Sequence, residues 1–201
     1  MLQKKQITLL DPASWDDKND SWFMQEFKDI LGATTVLATC FAESDETYHH
    51  WRVFSSGSDG VCIEFDKAAV LSAFEGVQAI RVGPVRYRLI STLRKRDHID
   101  PEELPFLKRA PYEPECEYRV VYVETSAGPL ETKSFPIEIE WIKRITLSPW
   151  MRPELRPSVA KTLKAIEDWN DLKIVRSTLV SNREWRALTD KARHPIHPHA
   201  K

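Results

Sequence analysis

Glu115-Cys116-Glu117-Tyr118-Arg119-Val120-Val121-Tyr122-Val123 is a β-prone run set between Pro114 and Thr125. β-Branched and aromatic side chains favour a pleated, half-buried backbone. In a strand, residues i, i+2 and i+4 share a face. Glu115, Glu117 and Arg119 are therefore predicted to stand side by side, with Cys116, Tyr118 and Val120 on the other face. If the charged face lines a cleft, the two carboxylates repel, one pKa rises, and Arg119 holds the other ionised. If it borders a sheet, the same charges form a solvated edge that discourages aggregation.

The flanking sequence alternates strand and helix patterns. Upstream, 1–6 reads as the end of a helix and 7–10 as a short strand stopping at Asp11-Pro12. A helix is predicted over 21–31, with Trp22, Phe23, Phe27, Ile30 and Leu31 as its apolar stripe and Gly32 as its stop. Strands follow over 34–42 and 61–65, with helices over 46–54 and 67–74. A strand or hairpin over 77–87 is broken at Gly83-Pro84, and 101–109 reads as a short helix led by Pro101. Beyond the Gly128-Pro129 turn, a strand over 137–147, a helix over 153–169, a strand over 173–179 and a helix over 183–193 complete the pattern. Strands alternating with helices, but joined partly by hairpin-like turns, predict a mixed α/β fold of the α+β class. One domain is expected over 1–193, with a central mixed sheet flanked by helices and a flexible His- and Pro-rich tail over 194–201.

Composition sets the class. The 201 residues are 42% hydrophobic and include seven Trp, enough for a substantial core. With 29 Lys and Arg against 30 Asp and Glu, no bulk charge draws the chain to nucleic acid or an anionic bilayer, although a local basic patch stays open. No apolar run reaches the roughly 20 residues of a membrane span, and the start lacks a signal-peptide core, so a cytoplasmic protein with no membrane partner is expected.

Cys40, Cys62 and Cys116 sit in apolar or β-branched runs without Cys-x-x-Cys spacing, and are expected as reduced, buried thiols. Asp16, Asp17 and Asp20 could hold a hard cation, but acids and Asn ahead of a helix more often cap it. Asn19 or Asp20 is expected as the cap, and no metal site is expected. His49 and His50 diverge by about 100° on a helix and cannot share one ion, so one of them is expected to border a cleft. Trp51, Phe54, Tyr87 and Tyr112 could wall a nicotinamide or adenine ring, or simply pack in the core.

Pro12-Ala-Ser-Trp15-Asp16-Asp17-Lys-Asn19-Asp20, Trp51-Arg-Val-Phe54, Gly60-Val61-Cys62-Ile63-Glu64-Phe65 and Tyr112-Glu-Pro-Glu115-Cys-Glu117-Tyr118-Arg119 occur in an order that resembles the bacterial domain-of-unknown-function family 2971. The resemblance runs along the whole chain and includes Lys173-Ile-Val-Arg176-Ser177. It departs from the family pattern at His50-Trp51, Phe54 and Ser58, where the family usually carries Met-Trp, a Tyr and a His. The family's N-terminal strand and helix are also largely missing. That absence predicts an upstream element, or self-association through an uncovered N-terminal segment.

The resemblance implies an ADP-ribosyltransferase-like fold, NAD as substrate, and work in anti-phage defence. On that reading Glu117 and Glu115 are the catalytic carboxylates, echoing the Glu-x-Glu of arginine-directed transferases and placed to stabilise a ribosyl cation. Arg119, Trp51, His50 and Tyr112 are the NAD-binding candidates. Arg119 either grips the pyrophosphate or forms an internal salt bridge. The acceptor would be a protein or a nucleic acid. The alternative is a non-catalytic sensor or protein-interaction module in a defence system.

Overall fold

The computed structural model describes residues 1–55, 57–166, 169 and 171–193. The expected tail over 194–201 lies outside the described residues. In chain order the elements are β1 (Gln6–Leu10), α1 (Lys18–Ile30), β2 (Thr35–Ala42), α2 (Tyr48–Val53), β3 (Val61–Phe65), α3 (Lys67–Ser72), β4 (Ile80–Pro84), β5 (Arg86–Arg88), α4 (Ile90–Leu93), β6 (Leu107–Arg109), β7 (Glu117–Glu124), β8 (Thr132–Pro136), β9 (Ile142–Leu147), α5 (Arg156–Lys164), β10 (Ile174–Arg176), α6 (Arg183–Ala187) and α7 (Thr189–Arg193). The fold is mixed α+β, as the sequence pattern predicts.

The main sheet runs β4-β7-β2-β1-β8, with every neighbouring pair antiparallel. A smaller sheet, β10-β9-β3, pairs β10 parallel and β3 antiparallel to β9. β5 and β6 form a parallel two-stranded ribbon. No helix among the described residues is long and apolar enough to cross a membrane.

β7 sits between two neighbours because both of its faces are apolar beyond Arg119: Val120 and Val121 have no solvent exposure. Val120 and Tyr122 join Leu37, Ile7, Leu9 and Phe135, and this face packs onto Ile145 and Leu147 of β9 in the larger core. On the opposite face Val121 and Val123 meet Val36, Ala38 and the α1 residues Met24 and Phe27. Burying a side chain such as Phe27 contributes roughly 1.5–3 kcal/mol.

α1 starts at Lys18 because the Asp17 carboxylate accepts the Asn19 N–H, so the cap is neither Asn19 nor Asp20. It ends before Gly32, which takes a left-handed φ of 60°. The inward stripe is Met24 and Phe27, while Trp22 and Ile30, expected to face the core, are exposed. β1 has β2 on one edge and β8 on the other, and Ile7 and Leu9 are buried. The 101–109 segment is a 3-10 turn that gives way to β6, and the 153–169 helix is shorter than expected, ending at Lys164.

A buried charge cluster beside an aromatic cleft

The expected row of three charges on one strand face forms by a different geometry. Glu115 ends a 3-10 turn at 110–115, and Cys116 adopts a left-handed conformation (φ 46°), so β7 starts only at Glu117. A non-glycine residue in that region carries strain and persists where its surroundings fix it. Here the Cys116 N–H donates to the Glu113 carbonyl, and the Cys116 carbonyl accepts from the Glu43 N–H. The kink turns Glu115 and Glu117 onto one cation, Lys108 of β6. Its Nζ lies 2.5 Å from Glu115 Oε2, 2.9 Å from Glu117 Oε1 and 3.5 Å from Asp20 Oδ2. The ammonium takes the place a metal ion would need among these three carboxylates.

Arg119 completes the cluster. Its guanidinium forks onto Asp20 (Nη1–Oδ1 2.8 Å, Nη2–Oδ2 2.5 Å), donates through Nε to Glu117 Oε2 at 2.8 Å, and reaches the Pro105 carbonyl at 2.9 Å. Trp15 lies 4.9 Å from it, and Tyr112 lies 4.8 Å from Lys108. The Tyr87 hydroxyl accepts the Glu117 N–H. Arg119 is wholly buried and all its donors point at protein, so the salt-bridge alternative holds and the pyrophosphate grip does not. Glu115 and Glu117 are buried as well. Asp20 and Lys108, the two members that the sequence pattern does not assign here, come from other elements: Asp20 from α1, and Lys108 from β6, just ahead of the 3-10 turn that leads into β7. Neither carries a local pattern that marks it.

Three carboxylates against two cations leave the cluster one negative charge in excess, and the two glutamates respond in opposite ways. Burial and the neighbouring Glu117 push the Glu115 carboxyl up despite Lys108. Burial also opposes the Glu117 charge, but Arg119 and Lys108 outweigh it and hold its carboxyl below the usual range. The same carboxylates raise Lys108 against its burial. His49, half-exposed at the rim, brings Nε2 to 3.7 Å from Glu115 Oε1. His50 Nε2 lies 3.1 Å and 3.2 Å from the Pro114 and Glu115 carbonyls, so this ring nitrogen must carry a proton and donate. Both histidines therefore fasten α2 to the turn that carries Glu115.

On the far side of α2 lies a cleft of about 610 Å³ between β2, β3, α2 and α3. Phe41, Trp51, Phe54, Phe65 and Tyr118 line it, with His50 at the border. Trp51 is seated by its indole N–H, which donates to Glu46 at 2.5 Å, and by Gly60. A Cβ at Gly60 would come within 2.1 Å of Ser55 Oγ and 3.5 Å of the Trp51 ring. The charged side chains on the lining are Glu43, Asp45, Glu46 and Glu64 against Lys67 and Arg144. Lys67 pairs with Glu43, and Arg144 lies 2.7 Å from Glu64, so Asp45 and Glu46 remain as surplus negative charge.

The candidate residues thus divide into two groups. Glu115, Glu117, Arg119 and Tyr112 belong to the dry cluster; Trp51 and His50 belong to the cleft. Of the proposed aromatic wall, Trp51 and Phe54 line the cleft, whereas Tyr87 and Tyr112 serve the cluster. The three thiols retain solvent access rather than lying buried. Cys40 keeps an exposed edge, but the protein crowded around its sulfur desolvates the thiolate and pushes the thiol up to about 12. Comparison with protein-family models, with characterised proteins and with solved structures finds no match.

Proposed function

We propose that this chain is a small-molecule-binding module whose cleft takes a planar, positively charged ring, with the nicotinamide end of NAD⁺ as the leading ligand. The observation that carries this reading is the pairing of an aromatic lining with surplus carboxylate charge at Asp45 and Glu46. Aromatic faces attract cations, and an unpaired carboxylate nearby adds to that attraction. An anionic group such as the pyrophosphate is better placed outside the mouth, near the exposed Phe54, than within the cleft. On the resemblance to family 2971, the module serves anti-phage defence as a sensor of that ligand.

ADP-ribosyl transfer is the second reading, favoured by Glu46, whose carboxylate borders the cleft and would face positive charge developing on a ribose. It moves the catalytic carboxylate from Glu117 and Glu115, which are committed to internal ion pairs, to the cleft wall.

Titrating the protein with NAD⁺, 1-methylnicotinamide, nicotinamide and nicotinate, while following tryptophan fluorescence in the parent chain and in W51F, tests the proposal. The expected order places the two ligands with a positively charged ring ahead of neutral nicotinamide, with nicotinate weakest, and E46Q removes the preference. Equal or stronger binding of nicotinate overturns it. Release of nicotinamide from NAD⁺ separates the transferase from the sensor.

A further inference from the structure

The segment 80–109 carries eight Lys and Arg against four Asp and Glu, in a chain whose net charge is −1. Much of this excess gathers around the β5-β6 ribbon. Along the ribbon Tyr87 is paired with Lys108, and both reach the buried cluster; Arg88 and Arg109, the next pair, are exposed. Glu103 holds Arg86 at 3.5 Å and Arg96 at 2.6 Å, which folds the chain after α4 back against β5. Arg94 and Lys95 precede Arg96 directly and are exposed. Among the described residues no carboxylate pairs with Arg88, Arg94, Lys95 or Arg109. Cations gathered this way repel one another, and only Arg86 and Arg96 are offset by the shared Glu103.

We infer that this face binds the phosphodiester backbone of a nucleic acid without reading its sequence. Five of the six clustered cations are arginines, whose planar fork matches phosphate oxygens two at a time. Arg86, Arg88 and Arg109 stand on a narrow ribbon, where Arg86 and Arg88 are two strand residues apart, about 7 Å, and Arg94, Lys95 and Arg96 follow α4. That arrangement is a row suited to successive phosphates more than a broad plate. The apolar groups beside them are Leu89 and Ile90, exposed but only two in number. They can lie against sugars or base faces, and are too few to anchor the chain in a bilayer.

The test is fluorescence anisotropy of the full chain with labelled single- and double-stranded oligonucleotides of about 20 nucleotides, starting near 50 mM salt. Vesicles containing phosphatidylserine form a parallel arm. R88A/R109A and R94A/K95A alter only exposed side chains, and K161A/K164A on α5 removes two charges elsewhere. The expected result is salt-dependent oligonucleotide binding that each ribbon variant weakens about tenfold or more. The slope of log affinity against log salt falls by roughly 1–2 in those variants, and K161A/K164A matches the parent chain. Urea midpoints confirm that the ribbon variants stay folded. Absence of oligonucleotide binding at low salt, equal loss in K161A/K164A, or binding to vesicles alone each overturns the inference.

Discussion

Asp20 and Arg119, 99 residues apart, meet through two parallel hydrogen bonds in a place that water does not reach. The pair ties α1 to the start of β7 and leaves neither charge free for a ligand. Removing one partner strands the other in the interior. D20A and R119A are each expected to lower unfolding free energy by about 3–5 kcal/mol, read by urea denaturation. The double variant D20A/R119A should lose less than the sum of the two. Strict additivity would mean that the residues do not act as a pair.

The two glutamates on Lys108 predict opposite pH signatures. The Glu117 carboxyl is held below its unfolded value, so its contribution is present above about pH 4.5 and is lost as pH falls through the folded pKa. Glu115 is raised, so its contribution is present below about pH 4.5 and fades as pH rises through the folded pKa. Urea midpoints between pH 3 and pH 8 are therefore expected to show E117Q losing most above about pH 4.5. E115Q should instead gain on the parent chain as pH rises. Parallel profiles for the two variants would refute this assignment.

Gly60 sets the seat of Trp51. G60A is expected to displace Ser55, shift Trp51 emission and cost about 1–3 kcal/mol of stability. F54A, at the exposed mouth of the cleft, should weaken binding of a cationic ring while leaving the urea midpoint within about 0.5 kcal/mol of the parent.

Thiol chemistry separates access from reactivity. Only thiolate attacks maleimide, and a group pushed up to about 12 offers almost none at neutral pH. Under limiting reagent at pH 7, mass spectrometry of labelled peptides should find Cys116 modified well ahead of Cys40. Cys62, raised by burial and then by Glu46 and Glu64, should also lag behind Cys116. Cys40 labelling as fast as Cys116 would contradict the enclosure described for it.

Several elements were legible because local pattern and tertiary environment agree. The strand over 61–65 lies at its expected boundaries, the helix over 67–74 begins where expected, and Gly32 ends α1 as its position suggests. β8 escaped because Thr132-Lys-Ser-Phe-Pro136 is an edge strand with one buried side chain, so it has almost no apolar alternation to read. The ribbon escaped because its two strands have three residues each, and only pairing with each other makes them strands. At the site, alternation marks Glu115, Glu117 and Arg119 as a group, but period-2 geometry carries no sign of the left-handed Cys116 that bends the first of them out of the strand. Asp20 looked like a helix cap because its true partner is remote in sequence. The cleft residue Glu46 had no signal at all, since its position depends on the indole it receives from Trp51.

The strand order of the main sheet has a consequence for the chain as it leaves the ribosome. β1, the first strand of this sheet in chain order, acquires its full pairing only with β8, at Thr132–Pro136, and β2 waits for β7, at Glu117–Glu124. Until then the earliest strands are synthesised without their permanent neighbours, and their apolar side chains must be kept from other nascent chains. Contacts of such wide sequence separation slow folding and lengthen that exposed interval. Arrival of β7 supplies the middle of the sheet and the Arg119 that receives Asp20, so sheet closure and burial of the charge cluster become a single late event.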